Sequence, residues 1–266
     1  MSACHRAPDR VDLTSAWSDG AARYHGKGSV IGARLRILTY HRIGPPRQGE
    51  FEKLTVPPAR FARQVGLLDR LGYGFCGLDM DMVPAFVAGQ SVSSHRPVIV
   101  TFDDGFAELY DHALPVIAER GIPAVVYAAS DRRTADWVDW DGQTAPPLLA
   151  GSQLNEMAAS GITIGSHTRT HRRLTQCSPA ELRDEVEGSK KSLEDLLGRE
   201  VRHFCYPFGA HNDTVVEAVR SAGYVTACTT KKGAVAVGAD ALRLPRLTVG
   251  KRMGFLHFFR RVVLAW

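Results

Sequence analysis

Two short runs carry side chains able to hold a cation and move a proton. The first is Val98-Ile99-Val100-Thr101-Phe102-Asp103-Asp104-Gly105. An apolar stretch feeds straight into adjacent carboxylates, and neighbours at a strand end can point to different sides. One aspartate can therefore bind a metal while the other takes a proton, and Gly105 permits a sharp turn. The same letters also suit an ordinary Asp-Asp-Gly turn. The second run is Gly165-Ser166-His167-Thr168-Arg169-Thr170-His171. With Ser166 capping a helical turn, histidines four apart share one face and can chelate one ion. Two imidazoles and one carboxylate make a three-ligand set with open positions, the pattern of a catalytic metal. A cation so held lowers the pKa of bound water from about 15.7 to about 7 and polarises an acyl carbonyl.

A third run, Phe204-Cys205-Tyr206-Pro207-Phe208-Gly209, pairs a short apolar stretch with a proline. Proline fixes the chain and can leave the N–H of Tyr206 aimed into a cleft, where an oxyanion needs a donor. The alternative is a strand-to-loop turn with two aromatics in the core.

Such runs need strands to carry them. Short β-branched stretches predict strands at Arg36–Tyr40, Pro97–Phe102, Ala124–Ala128, Ile162–Gly165, Phe204–Tyr206 and Tyr224–Ala227, with a late extended piece at Leu242–Val249. Helical periods predict helices over Pro58–Leu71, Ala107–Glu119, Pro179–Leu197 capped by Ser178, and His211–Ala222. Alternation of this kind predicts a parallel α/β sheet, closed as a barrel or open and doubly wound. One domain over 34–250 is expected, preceded by a polar, poorly ordered extension at 1–33.

Composition narrows the class. Net charge is +5 without a long basic run, which argues against nucleic-acid binding. The five cysteines are scattered and form no CxxC pair, as in a reduced, cytosolic protein. No apolar secretory core opens the chain, and no segment is long enough to span a bilayer. A cytoplasmic protein is expected. Its tail at 251–266 mixes basic and apolar residues, suited to docking on the domain as a helix or to resting peripherally on the inner membrane face.

Taken together, Thr101-Phe102-Asp103-Asp104-Gly105, the His167–His171 pair and Tyr206-Pro207-Phe208 resemble the motifs of the polysaccharide deacetylase family (NodB-like, carbohydrate esterase family 4). Ile37-Leu38-Thr39-Tyr40-His41 is similar to the opening strand of its poly-N-acetylglucosamine deacetylase subgroup. The resemblance covers roughly Arg34 to Val249. It implies a distorted (β/α) barrel of about seven parallel strands. It also implies one divalent metal, zinc first with cobalt, nickel or manganese as substitutes, and hydrolysis of an N-acetylated sugar or glycan. Carried over, Asp103 is the general base and Asp104, His167 and His171 are the ligands. Tyr206 gives a backbone donor to the oxyanion.

Two departures stand out. Cys205 occupies the place of an arginine that orients the base, and Arg246, in Leu244-Pro245-Arg246, is the candidate to replace it. No histidine occurs in Leu242–Leu247, where many members keep a general acid. His41 is the candidate instead, with His257 second. Trp137, Trp140, Pro207 and Phe208 are expected to line a sugar subsite, although the tryptophans also suit loop packing. An O-acetyl esterase, an inactive glycan-binding protein and a metal phosphoesterase remain alternatives. The last lacks a Gly-rich phosphate cradle.

Overall fold

The structure, a computed structural model, describes residues 34–46, 53–78, 82–90, 96–137 and 144–264. Strands follow in the order β1 (Arg36–Tyr40), β2 (Arg42–Ile43), β3 (Thr55–Val56), β4 (Gly74–Phe75), β5 (Pro97–Phe102), β6 (Ala124–Ala128), β7 (Thr163–Ser166), β8 (His203–Cys205), β9 (Thr226–Lys232) and β10 (Leu244–Thr248). Among the described residues seven of them close a ring, β1-β10-β9-β8-β7-β6-β5 and back to β1, with every pair parallel. β4 joins β5 at Pro97 and Val98, beyond the stretch that β6 occupies at Val100–Phe102. β2 and β3 form a separate parallel pair. The chain is a single (β/α) barrel domain, as the resemblance implied.

Period-2 alternation sorts the core into two layers. Ile37, Ile99, Val125, Tyr127, Cys205, Cys228 and Leu244 point into the barrel. Their neighbours Leu38, Val98, Val100, Val126 and Phe204 pack outward under the helices. The helix Met82–Val87 sends Val83 and Phe86 into the inner layer beside Leu35, closing the end where the strands begin. Burial on both faces explains why these strands read as continuous apolar runs.

Sequence and structure differ where local signals are weak. β9 starts at Thr226, two residues later than expected, and runs on to Lys232. Its last three residues are exposed and polar, so no apolar pattern marks them. The expected helix over Ala107–Glu119 is divided into Glu108–His112 and Leu114–Arg120, where Pro115 removes a helix donor. The helix after Ser178 keeps its capping box but contains a π-turn at Asp184–Gly188. The helix Gly151–Ala159 and the two-residue strands carry no strong periodic signal and escaped prediction. The expected extension at 1–33 lies outside the described residues.

Beyond β10 the tail docks on the domain. Phe258, Val262 and Val263 are buried, and the Val262 carbonyl accepts from Arg36 Nε at 2.9 Å and Tyr73 Oη at 3.3 Å. No helix among the described residues is long and apolar enough to cross a membrane.

Gly165 on β7 shows how closely the ring is packed. A Cβ there would lie 2.6 Å from Tyr127 Cδ1 and 2.9 Å from the His203 carbonyl oxygen. Gly165→Ala is expected to destabilise by about 1–3 kcal/mol through overpacking, lowering Tm by several degrees in a thermal melt.

Candidate active site

β5 delivers the two aspartates to the end of the barrel where the strands finish. The Asp103 N–H continues the ladder by donating to the Tyr40 carbonyl at 2.9 Å. Asp104 then takes a φ of 72° and Gly105 a φ of 73°, a left-handed turn that sends the two carboxylates apart. Asp103 stays on the barrel axis. Asp104 swings toward the loop after β7.

That loop is not the helical turn expected from the histidine spacing. Thr168 and His171 have φ values of 68° and 60°, so the chain doubles back between them. Ser166 Oγ accepts from the Thr168 N–H at 3.2 Å, and Thr168 Oγ1 accepts from the His171 N–H at 3.0 Å. Local side-chain bonds thus replace the helical ladder. The result still brings the imidazoles together: His167 Nε2 and His171 Nε2 lie 3.4 Å and 3.2 Å from Asp104 Oδ1. Glu185, from the π-turn, accepts from the Thr170 N–H at 2.9 Å and ties the loop down.

This set fits a divalent cation. The ligand atoms of Asp104, His167 and His171 lie within 4.8 Å of one another, and all three residues are buried. Asp104 Oδ2 is buried with no hydrogen-bond partner among the described residues, an arrangement that is costly unless a cation compensates it. His167 Nδ1 sits 2.7 Å from the Cys205 carbonyl, which must be the acceptor. That bond fixes the tautomer and turns the Nε2 lone pair toward Asp104. Burial holds His171 below its ordinary pKa, against the pull of Asp104, and so favours the neutral imidazole a metal requires. Burial also works against the Asp104 charge, but the adjacent imidazoles of His167 and His171 outweigh it and keep its pKa below the usual carboxylate range.

Asp103 has the opposite commitment. Arg246 Nη1 and Nη2 donate to its two oxygens at 2.7 Å and 2.6 Å. The guanidinium is buried and donates further to Thr101 Oγ1 at 3.2 Å and the Thr229 carbonyl at 3.0 Å. Desolvation raises the Asp103 pKa, yet the charge and hydrogen bonds of Arg246 prevail and hold it low. Cys205 fills the remaining space, its sulfur 3.0 Å from Arg246 Nη2 and 3.5 Å from Asp103 Oδ2. Burial pushes that thiol well up, so it remains a protonated donor. A second grouping, Asp103, His167 and Cys205, is also compact. It is the poorer cation site, because both Asp103 oxygens are held by Arg246 and the sulfur is protonated.

His41, one-sixth exposed at 16%, brings Nε2 to 4.0 Å from Asp103 Oδ2. It shares with both aspartates, His167 and His171 a cleft of about 420 Å³, also lined by Lys53, Leu54, Tyr206, Thr230 and Thr248. Leu54, Lys53 and the two threonines had no motif to announce them. Trp137 lies in the cleft wall, stacked on His171 at 4.1 Å between centroids. Trp140 lies outside the described residues.

Three expectations change. The Tyr206 N–H donates to the Cys228 carbonyl at 3.1 Å, and its hydroxyl donates to the Leu242 carbonyl at 2.9 Å. Sheet pairing has therefore consumed the amide expected to meet an oxyanion. Pro207 is buried and does not line the cleft. Phe208 does, 42% exposed and edge-on to His171, with the Arg173 guanidinium 4.5 Å above its ring. At a φ of 59°, the Phe208 amide has no acceptor among the described residues. His257 sits in the tail, outside this cleft, beside Arg260 and Arg261.

Comparison with known proteins adds to this geometry. A family model described as polysaccharide deacetylase matches residues 90–227, which contain Asp103, Asp104, His167 and His171 but neither His41 nor Arg246. YxkH of Bacillus subtilis is 28% identical over 223 residues, 83% of this chain and 73% of that protein. A poly-beta-1,6-N-acetyl-D-glucosamine N-deacetylase of Staphylococcus epidermidis is 27% identical over 163 residues. That match covers 58% of this chain and 55% of the relative, so the chain spans little more than half of that protein. The solved structure of Streptococcus pyogenes deacetylase PplD in complex with acetate superposes with a TM-score of 0.74 at 25% identity, covering 86% of this chain and 98% of that one.

Arg246→Met would leave the Asp103 charge buried and unpaired. The expected cost is about 3–5 kcal/mol, read as a fall in Tm of roughly 10 °C. Arg246→Lys, which keeps the charge but loses the fork, is expected to fall between this variant and the parent.

Proposed function

The chain belongs to the polysaccharide deacetylase family, and from that premise we propose that it is a metal-dependent N-deacetylase of N-acetylhexosamine glycans or glycan precursors. One observation carries the reading. Adjacent carboxylates with opposite commitments, Asp103 paired to Arg246 and Asp104 turned to two imidazoles, open on one cleft with His41. The Staphylococcus epidermidis relative is an N-deacetylase of poly-N-acetylglucosamine, which supports an N-acetylated hexosamine as substrate.

Asp104, His167 and His171 are assigned as the ligands of a divalent cation, zinc before cobalt, nickel or manganese. When bound, the cation supplies Lewis acidity toward water and the acetyl carbonyl. The remaining roles fall to the chain. Asp103, kept ionised by Arg246, accepts a proton from the attacking water as its oxygen bonds to the acetyl carbon. Arg246 orients that carboxylate and does not itself exchange a proton. The Phe208 amide is assigned as donor to the developing oxyanion, in place of Tyr206. As the C–N bond breaks, His41 delivers a proton to the leaving nitrogen, and acetate and an amino sugar result. Trp137 holds the His171 ring by stacking, and the exposed Phe208 face is assigned to the sugar.

The base assignment is tested by Asp103→Asn. Acetate release from N-acetylglucosamine oligomers should fall by about 10²- to 10⁴-fold while elemental analysis still finds the cation bound. Near-normal turnover would remove Asp103 from the mechanism. Asp104→Ala and His171→Ala should instead lose the cation and the activity together, and zinc should restore chelator-treated parent enzyme. Faster release from an O-acetylated xylan than from the N-acetylated oligomers would make the protein an esterase.

A further inference from the structure

The tail docks through one face only, and its other face is chemically distinctive. From residue 241 to the end of the chain there is no aspartate or glutamate, while Arg243, Arg246, Lys251, Arg252, Arg260 and Arg261 all fall in this stretch. Phe258, Val262 and Val263 point inward. Phe255, Leu256 and Leu264 point outward at 64%, 68% and 54% exposure, more than any other large apolar side chain among the described residues. Leu256, Arg260 and Leu264 are four apart and share a face. Leu256, His257, Arg260 and Arg261 together line a shallow surface depression. Arg260 and Arg261 have no carboxylate partner among the described residues.

We propose that this outer face, Phe255 to Leu264, docks on an anionic lipid bilayer. An amphipathic segment with aromatic and leucine side chains between cations lies in the plane of the membrane interface, its apolar groups among the acyl chains and its cations at the phosphates. Here the segment is already ordered by its inner face, so binding carries little cost of folding it. A second copy of the chain is a poorer occupant, because a two-fold contact would set the same cations against each other. The chain leading into this face leaves from the cleft edge. Lys251 donates its N–H to the carbonyl of Lys53, a cleft residue, at 2.9 Å. Gly250 permits that approach, since a Cβ there would stand 2.2 Å from the same oxygen. The inference does not depend on the hydrolase reading, and its test requires no turnover.

Full-length protein should co-sediment with mixed phosphatidylcholine–phosphatidylglycerol vesicles and not with phosphatidylcholine alone. Phe255→Ser with Leu256→Ser should weaken binding by about tenfold. Arg260→Gln with Arg261→Gln should weaken it by about fivefold per charge. Lys191→Gln, which removes a charge elsewhere, should bind as the parent does. Thermal melts report whether each variant is folded. Should the serine variant melt early, a blue shift in the fluorescence of Leu256→Trp on adding mixed vesicles supplies the same answer. Absence of vesicle binding, or equal binding by all variants, overturns the proposal. So does a dimer in sedimentation that the serine substitutions dissociate, which would assign the face to a second copy.

Discussion

Asp103 sits at the top of a closed barrel with its carboxylate removed from water, and an isolated charge there would cost several kcal/mol. Arg246 answers it with a two-pronged hydrogen bond from a strand 143 residues away. That guanidinium is held in turn by Thr101 on β5 and the Thr229 carbonyl on β9. The ion pair therefore requires β10 to lie between β1 and β9, which is the closure of the ring itself. It also accounts for the residue at 205. A guanidinium entering from β8 would meet Arg246 where the Cys205 sulfur now stands, 3.0 Å from Nη2. A short, uncharged side chain is what that space accepts.

Backbone strain gathers around the same end of the barrel. Every non-glycine residue with positive φ among the described residues, Asp104, Thr168, His171 and Phe208, is at the cleft or in its supporting loop. Such conformations cost roughly 1–2 kcal/mol each for a residue with a Cβ. They persist because the surroundings over-determine them. The Thr168 and Arg169 carbonyls accept from the Ser130 and Asp131 amides at 3.0 Å and 2.9 Å, while Glu185 holds Thr170 from the opposite side. The π-turn that interrupts its helix lies where that helix meets the loop. These contacts help aim the imidazoles at Asp104, which is preorganisation in a checkable form.

Aromatic groups complete the enclosure. Trp137 stacks on His171, and Phe208 meets the same ring edge-on, so the imidazole is gripped from two sides. Arg173 covers Phe208 in turn. The tail follows a different logic, with an apolar face that finishes the core and an opposite face that adds leucines and cations to the surface. Docking and surface exposure, which compete as readings of the sequence, are satisfied by different sides of one segment.

The sequence by itself determined the features whose causes are local. β1, β5 and β6 match their predicted bounds because buried parallel strands are short apolar runs ended by turn chemistry. Asp103, Asp104, His167 and His171 were legible because two motifs each follow such a strand, and their resemblance to a family joined them. Only the tertiary structure decided the rest. It turned the histidine spacing into a strained loop, spent the Tyr206 amide on Cys228, and left the Phe208 amide with no acceptor among the described residues. It also chose Arg246 over any nearer cation to meet Asp103. The Tyr206 and Arg246 outcomes depend on which strands lie side by side, and the second joins residues 143 apart, beyond the reach of any local pattern.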